Sequence, residues 1–387
     1  MTLKTTLFLV LLFSFSTCFA KQSKIDSLYS LIKNDKDDTN KVNHLSVLGK
    51  EYLTVIGDFD KCISLSNEAL KLATQLNFKK GIAKAYSKIG SAYIYKGNYK
   101  ESLKYNNLAL QKYQELNDKK GISNSYSNIA SVYVAQKKFN EALKMFLNVL
   151  KVSREINHKE GMAKAYNNIG ICYDEKGDYD QALLGYNNAL KIEEELGNET
   201  DIGYYHNNIG GIYIRQANYS AALISVTKAL KMSTAINNKH VMGQANIQLG
   251  DLNYKQKKYK EAQNYFTAAV TLLKSINSID LLAGAYGSLV EADSAMGNYK
   301  EAFANYKLYR LYSDTLANQD NIIKEKEILL NQSEAEKNKL ALKLKDIKKQ
   351  IIAVEQKTVS KINKLSALLF VVVCALAFML YDKYKRN

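Results

Sequence analysis

The sequence has 387 residues and a formal net charge of +16, with 47% hydrophobic and 24% charged residues and neither proline nor tryptophan. This balance excludes an intrinsically disordered chain and is typical of a folded protein. The positive charge could indicate a nucleic-acid partner, but the lysines are scattered as on solvated helix faces, so no nucleic-acid partner is predicted.

Residues 1–20 are predicted to be a signal peptide. Lys4 precedes an uncharged apolar stretch, and small residues up to Ala20 follow where a signal peptidase cleaves. Cys18 leaves a lipoprotein signal open as an alternative, and a retained N-terminal anchor is the third possibility. In the preferred interpretation the chain that follows is exported.

Residues 21–317 repeat with a period of 40. Helix-ending turns recur near residues 57, 97, 137, 177, 217, 257 and 297, each followed two residues later by an aromatic and five residues later by a small side chain. The first unit has one extra residue before its turn. A Gly or Ala recurs in most first halves, as at Gly90 and Ala130, and is expected to face a small residue of the second half, as at Ala142. This spacing predicts antiparallel helix pairs of about 15 residues per helix, packed closely at small side chains.

The repeat resembles the tetratricopeptide repeat, whose second helix carries Ala-x-x-x-aromatic, as in Ala142 with Phe146 and Ala182 with Tyr186. The unit is longer than the usual one of about 34 residues and lacks its terminal proline. In this it resembles the longer-period branch found in spindle-orientation scaffolds, kinesin light chains and bacterial sensors. The resemblance implies an all-α, right-handed α-solenoid of about seven helix hairpins.

Residues 318–363 predict a charge-rich helical stalk. The 4–3 spacing of Leu340, Leu344, Ile347, Ile351 and Val354 fits the seam of a coiled coil. A parallel homodimer through this stalk and a single solvated spacer helix both remain open.

Residues 364–381 are predicted to form one transmembrane helix, because they include an uncharged apolar run that is near the lower length limit for a span. The tail, residues 382–387, carries Lys383, Lys385 and Arg386, which the positive-inside rule places in the cytoplasm. The expected location is the inner membrane of a bacterium, with the repeats in the periplasm.

The sequence contains no recognisable catalytic, cofactor or metal motif. The four histidines lie in different repeats, and none pairs with Cys or Asp at ligand spacing. Cys62 and Cys172 lie nearly three repeats apart, too far for a disulfide, and are expected to pack in the core. No enzyme activity and no cofactor are predicted.

A candidate binding face follows the first helices, which line the concave side of such an array. Residues at one repeated point are Lys88, Asn128, Asn168, Asn208 and Gln248, with Asn167 and Asn207 one position earlier. One turn along, the side chains vary between repeats, as at Asp174, Arg215 and Tyr254. Carboxamides both donate to and accept from an extended peptide backbone. The resemblance implies this use for Asn128, Asn168 and Asn208, and the alternative is a solvated polar helix face.

The order of parts resembles the sensory half of membrane-bound bacterial regulators that carry a histidine kinase or a LuxR-type output domain. Two functions therefore stay open. The first is a membrane-anchored scaffold that binds a protein or peptide. The second is a receptor that relays the state of its ligand to a separate kinase or transcription regulator.

Overall fold

The protein is described by a computed structural model, which covers residues 24–317 and, in part, residues 339–357 (339, 342–346, 348–350, 353 and 356–357). Within these residues the chain is helical and has no strand. The α-helices of the array are α1 (24–34), α2 (Thr39–Glu51), α3 (Phe59–Gln75), α4 (Lys79–Tyr95), α5 (Tyr99–Glu115), α6 (Lys119–Ala135), α7 (Phe139–Glu155), α8 (Lys159–Glu175), α9 (Tyr179–Leu196), α10 (Glu199–Arg215), α11 (Tyr219–Ala235), α12 (Lys239–Lys255), α13 (Tyr259–Ser275), α14 (Ile279–Ala295) and α15 (299–317).

The helices pair into seven antiparallel hairpins, α2 with α3 through α14 with α15, and α1 packs Ile25 and Leu28 onto the first of them. This confirms the predicted solenoid of about seven hairpins. Most helices have 17 residues, two more than expected. The second helices α3, α5, α9 and α11 each start at an Asp or Asn whose side chain caps the helix. For example, the Asp58 carboxylate accepts a hydrogen bond from the Lys61 amide at 2.9 Å.

The helices end in left-handed residues, as the Asn and Gly pattern predicts. Asn77, Asn117, Asn157, Asn237 and Asn277 have φ between 51° and 54°, and Gly197 has a φ of 68°. At the turn inside a hairpin, the amide of Asn98 donates to the Tyr93 carbonyl at 3.0 Å and that of Gly97 to the Ile94 carbonyl at 2.9 Å. These two bonds satisfy carbonyls that the end of a helix leaves open.

The extra residue of the first repeat is absorbed in a π-helical turn. Residues Tyr52–Ile56 continue α2 with wider hydrogen bonding and end at Gly57, which has a φ of 77°. A π-turn accommodates one inserted residue without changing the register of the flanking helix. Both faces of the first hairpin therefore keep the positions that they have in the other repeats.

The core lies between the two helices of each hairpin and between successive hairpins. A Cβ placed on Gly170 would lie 2.8 Å from the Tyr186 ring, and one on Gly250 would lie 2.3 Å from the Phe266 ring. The small first-helix residue was expected to face the alanine of the second helix. It faces instead the bulky side chain four residues after that alanine. The alanines are still fully buried, as at Ala182 and Ala262. Cys62 and Cys172 are buried free thiols, as predicted.

The first helices form the inner side of the stack. Contacts join α2 to α4, α4 to α6, α10 to α12 and α12 to α14, and no two successive second helices from α3 to α13 touch to a similar extent. In a curved stack the elements on the inner side approach each other more closely than those on the outer side. The even-numbered helices therefore present the concave face of the array.

The predicted location, with the array in the periplasm and the chain at an inner membrane, is wrong by this structure. No helix among the described residues is long and apolar enough to cross a membrane, because the array helices expose a polar face and bury the other against their neighbours. The predicted signal peptide, residues 1–20, and the predicted span, residues 364–381, lie outside the described residues. Of the predicted coiled-coil seam only Leu344 is described, and its side chain is exposed.

Candidate functional site

The polar residues that recur on the first helices lie on the concave face and join one repeat to the next. We call Asn128, Asn168, Asn208 and Gln248 the amide row. The side-chain amide of Asn128, on α6, donates to Asn106 Oδ1 at 3.0 Å and to Ser91 Oγ at 3.1 Å, on the preceding hairpin. Asn128 is half-buried, and its carbonyl oxygen accepts no hydrogen bond from the described residues.

A second bridge of this kind joins α10 to α8. Asn208 donates its side-chain amide to Asn167 Oδ1 at 3.2 Å. Asn167, which is buried, in turn donates to Asn168 Oδ1 at 3.4 Å. The side-chain amide of Asn168 donates to none of the described residues, and this residue is half-buried on the same face. Asn168 is therefore the member of the row with an uncommitted donor.

Gln248 forms the third bridge, between α12 and α10. Its side-chain amide donates to the backbone carbonyl of Asn207 at 3.2 Å, and the side-chain amide of Asn207 donates to Gln244 Oε1 at 3.4 Å. Asn207 Oδ1 and Gln248 Oε1 are buried without a hydrogen-bond partner among the described residues. Each of the three bridges includes a hydrogen bond between first helices, across 37 or 41 residues of sequence.

The residues one turn along the face, which vary between repeats, also form contacts with other side chains of the array. Arg215 forms an ion pair with Asp174 at 2.5 Å across two repeats, and its guanidinium lies over the Tyr179 ring. Burial raises the pKa of Asp174, and the Arg215 charge opposes that rise. The Tyr254 ring packs against the Tyr259 ring in a tilted arrangement, with ring centroids 5.3 Å apart. Asp174, Arg215 and Tyr254 therefore lie on the inner side, and these contacts hold their side chains in place.

The first three repeats line an open cavity of about 600 Å³ on the concave face. Three of its lining residues are cations, Lys50, Lys84 and Lys88, and we call it the lysine pocket. The remaining lining residues are Asn43, Ser46, Val47, Ser87, Tyr113 and Asn124. Lys88 occupies the position that the amide row fills in the later repeats, so the pocket is the N-terminal continuation of that row.

Lys88 has an unusual electrostatic environment. Burial lowers the pKa of its ammonium group, and the nearby charges of Lys50 and Lys84 lower it further. The Lys84 ammonium donates to Asn43 Oδ1 at 3.2 Å. Within the described part of the chain no carboxylate forms an ion pair with Lys50, Lys84 or Lys88. The pocket therefore holds uncompensated positive charge.

Sequence reasoning found the amide row and Lys88 but missed Asn106 and the other two lysines of the pocket. Asn106 is fully buried at the position where Phe146, Tyr186 and Phe266 stand in other repeats. That break in the aromatic pattern could have identified Asn106 from the sequence. Lys84 precedes Lys88 by one helical turn, so its place beside Lys88 could also have been predicted from the sequence. The approach of Lys50 depends on the packing of two hairpins. No group of three or more His, Cys, Asp or Glu side chains among the described residues is arranged to hold a metal ion.

Comparison with protein-family models agrees with the hairpin geometry. Models described as tetratricopeptide repeat match residues 121–195, 83–111 and 243–272. The matched hairpins are tetratricopeptide repeats. The matches fall on the hairpins that carry most of the amide row and part of the lysine pocket. Comparison with curated proteins gives no significant match.

Solved structures share the fold of this helical array. The apo form of the quorum sensor NprR from B. thuringiensis superposes with a TM-score of 0.61 at 19% identity, covering 79% of this chain and 86% of that one. The apo form of RapI gives 0.58 at 20% identity, covering 72% and 99%. A Rap protein complexed with Competence and Sporulation Factor gives 0.56 at 19% identity, covering 76% and 80%. At these identities the likeness shows the fold.

Proposed function

We propose that the concave face of the array binds an extended peptide, or an extended segment of a partner protein, without catalysis. The observation that carries the proposal concerns the side-chain amides along this face. Some are hydrogen-bonded to neighbouring repeats, and others keep a donor or an acceptor free. The bridges hold the first helices in register, while Asn168 keeps a free donor and Asn128 keeps a free acceptor. A peptide backbone offers the complementary carbonyl and amide groups at regular intervals.

The bridges also support binding by fixing the face in advance. A side chain that is already held by a hydrogen bond loses less conformational entropy when a ligand arrives. Asp174 and Arg215 neutralise each other beside the row, so the middle of the face offers hydrogen bonds with little net charge. Such a surface suits a backbone, while the side chains of the ligand meet the variable residues.

The fold likeness adds a precedent. One array of this kind is a quorum sensor, and another was solved in complex with Competence and Sporulation Factor. These are properties of those proteins. For this chain they favour a second candidate, a receptor that relays the state of its ligand to a separate effector, which uses the same face. A homodimer through residues 318–363 is proposed as the way in which two such arrays act together.

A display selection tests the proposal. The full-length chain is immobilised and used to select from random heptapeptides that carry a free C-terminus, and the enriched peptides are synthesised with a fluorescent label. We expect anisotropy titrations to show saturable binding to the wild type. Binding should be about tenfold weaker for Asn168→Ala, which removes an uncommitted donor and breaks no bridge between repeats.

The matched control is Asn187→Ala, an exposed asparagine on α9. It should bind as the wild type does. If no peptide is enriched over empty beads, the peptide-binding function is wrong. If Asn168→Ala and Asn187→Ala bind equally well, the ligand does not use the amide row.

A further inference from the structure

The last helix of the array, α15, leaves a row of aromatic side chains exposed. We call Tyr299, Phe303 and Tyr306 the aromatic stripe, and these side chains are 73%, 60% and 44% exposed. In other repeats the residues that correspond to Tyr306 are buried, as at Phe146 and Phe266. Large apolar side chains that stay exposed together on one face of a helix indicate a surface that binds a partner.

The stripe is exposed because the chain does not turn back at the usual place. In earlier repeats a left-handed residue ends the second helix, as at Asn237 and Asn277, and the first helix of the next hairpin then packs against it. Ala317 lies 40 residues after Asn277, but it is still helical and has no positive φ. Residues 24–317 therefore contain no further helix that could cover the stripe.

Two earlier repeats show which side chains cover the position of Tyr299. Tyr179 corresponds to Tyr299, and the Arg215 guanidinium of the next hairpin lies over its ring, 5.8 Å from the centroid. Phe59 also corresponds to Tyr299, and Tyr95 of the next hairpin stacks on it with ring centroids 5.2 Å apart. An arginine or a second aromatic ring is therefore the group that fits this position.

Helix α15 carries such an arginine on the same face as the stripe. Arg310 follows Tyr306 by four residues, so the spacing from Tyr299 onwards is four, three and four residues, which keeps all four side chains on one face. The Arg310 side chain is more than half exposed and forms an ion pair with Asp314 at 3.0 Å. Arg215 likewise forms an ion pair while it covers a ring, so the ion pair leaves Arg310 free to stack.

The stripe and Arg310 are symmetrical about their midpoint. In two antiparallel copies of α15, Tyr299 of each copy meets Arg310 of the other, and Phe303 of each meets Tyr306 of the other. Every contact then occurs twice, as in the isologous interface of a two-fold dimer. In parallel copies Arg310 would meet Arg310, and the like charges would repel each other.

We propose that two copies of this chain associate through α15, packed antiparallel along the aromatic stripe and Arg310. Three aromatic side chains and one arginine from each copy bury on the order of 1,000 Å² in total, which is at the low end for a specific interface. The dimer is therefore weak, with a Kd on the order of 10 µM. It does not use the concave face, so each dimer presents two such faces.

This contact is separate from the homodimer through residues 318–363. Antiparallel α15 helices end at opposite sides of their interface, so a contact through the residues that follow would join a different pair of chains. Loss of the α15 contact should therefore at least halve the mass of the particle, whether or not the other contact forms.

Sedimentation equilibrium of the full-length chain tests the contact over about 1–100 µM, which brackets the expected Kd. Phe303→Lys should weaken association at least tenfold, because the interface loses two rings and gains two buried ammonium groups. Ile224→Lys is the matched control, since Ile224 is an exposed apolar residue of another second helix, α11. It should associate as the wild type does. Circular dichroism should give both variants the wild-type helix content, because both positions are exposed.

A charge exchange tests the antiparallel direction. Arg310→Glu removes the cation from both ends of the interface and should weaken association about tenfold. The double variant Tyr299→Arg, Arg310→Glu should regain most of that loss, because each new arginine faces a glutamate of the other copy. Parallel helices would place like charges together, and the double variant would then associate more weakly than Arg310→Glu.

Three results would overturn the proposal. A wild type that stays a single chain at every concentration would show that a second copy does not cover the stripe. Equal association of Phe303→Lys and Ile224→Lys would place any dimer on another surface, such as residues 318–363. A double variant weaker than Arg310→Glu would exclude the antiparallel arrangement. Peptide binding on the concave face is measured separately, so none of these results bears on the proposed function.

Discussion

Asn208 on α10 donates its side-chain amide to Asn167 on α8 at 3.2 Å, across 41 residues of sequence. Residues at this spacing are neighbours on successive first helices, and the same offset joins Gln248 to the carbonyl of Asn207. These hydrogen bonds join successive hairpins. The amide row is therefore part of what holds the repeats together as well as a surface for a ligand.

The first prediction follows from these bridges. Asn208→Ala removes the donor of a half-buried bond and should lower the free energy of unfolding by about 1 kcal/mol. Asn107→Ala is the control, because that exposed side chain donates only to Leu103 of its own helix. Urea denaturation of both variants measures the difference. Equal effects would show that the bridge between repeats contributes nothing beyond a local contact.

Two helical glycines give a second prediction. A Cβ on Gly250 would lie 2.3 Å from the buried ring of Phe266, whereas one on Gly284 would meet no atom within 4 Å. Gly250→Ala should therefore destabilise the array by about 1–3 kcal/mol. Gly284→Ala should stabilise it by about 0.5–1 kcal/mol, because alanine restricts the unfolded chain and favours a helix. Thermal unfolding that gave both variants the same sign would contradict this account of the hairpin interface.

The turns inside the hairpins give a third prediction. Lys257 has a φ of 61° at a position where other repeats have glycine, as at Gly177 with a φ of 76°. Lys257→Gly should raise the free energy of unfolding by about 1 kcal/mol, because a side chain strains the left-handed conformation. The reverse exchange, Gly177→Ala, should lower it by a similar amount. Chemical denaturation checks both, and a destabilised Lys257→Gly would show that the lysine side chain has a role of its own.

A fourth prediction concerns pH. Burial, with the Glu291 charge, raises the pKa of Asp251 to about 7, and Lys255 opposes the rise. A raised pKa means that the folded state holds its proton longer than the unfolded state, so this residue makes stability fall as pH rises from about 4 to 7. Asp251→Asn should remove that loss and gain on the order of 4 kcal/mol at pH 8. Urea denaturation at pH 4 and pH 8 measures it, and an equal gain at both would refute the assignment.

The repeat pattern could be predicted because each position recurs in many units. The period of 40, the left-handed Asn and Gly residues and the extra residue before Gly57 all led from sequence to the observed hairpins. The amide row was also placed on the correct helices. Its bonding was not predicted, because the direction of a carboxamide depends on the distance between two first helices, which the period alone does not give.

The features that were missed depend on packing between hairpins. Lys50 meets Lys84 and Lys88 only because α2 and α4 contact on the inner side of the stack. Asn106 is a polar residue at an aromatic position, and its partner Asn128 lies in the next hairpin. Local spacing identified Lys88 and Asn128 alone, because the association of the other residues with them depends on the three-dimensional arrangement of the repeats.

Hydrogen exchange tests the central claim most directly. The full-length chain is compared by mass spectrometry with and without the tightest selected heptapeptide. We predict that added protection is confined to the first helices α4, α6, α8 and α10, which carry Lys88, Asn128, Asn168 and Asn208. The second helices α5, α7, α9 and α11 should exchange as before. Protection confined to the second helices, or spread evenly over both sets, would contradict binding on the concave face.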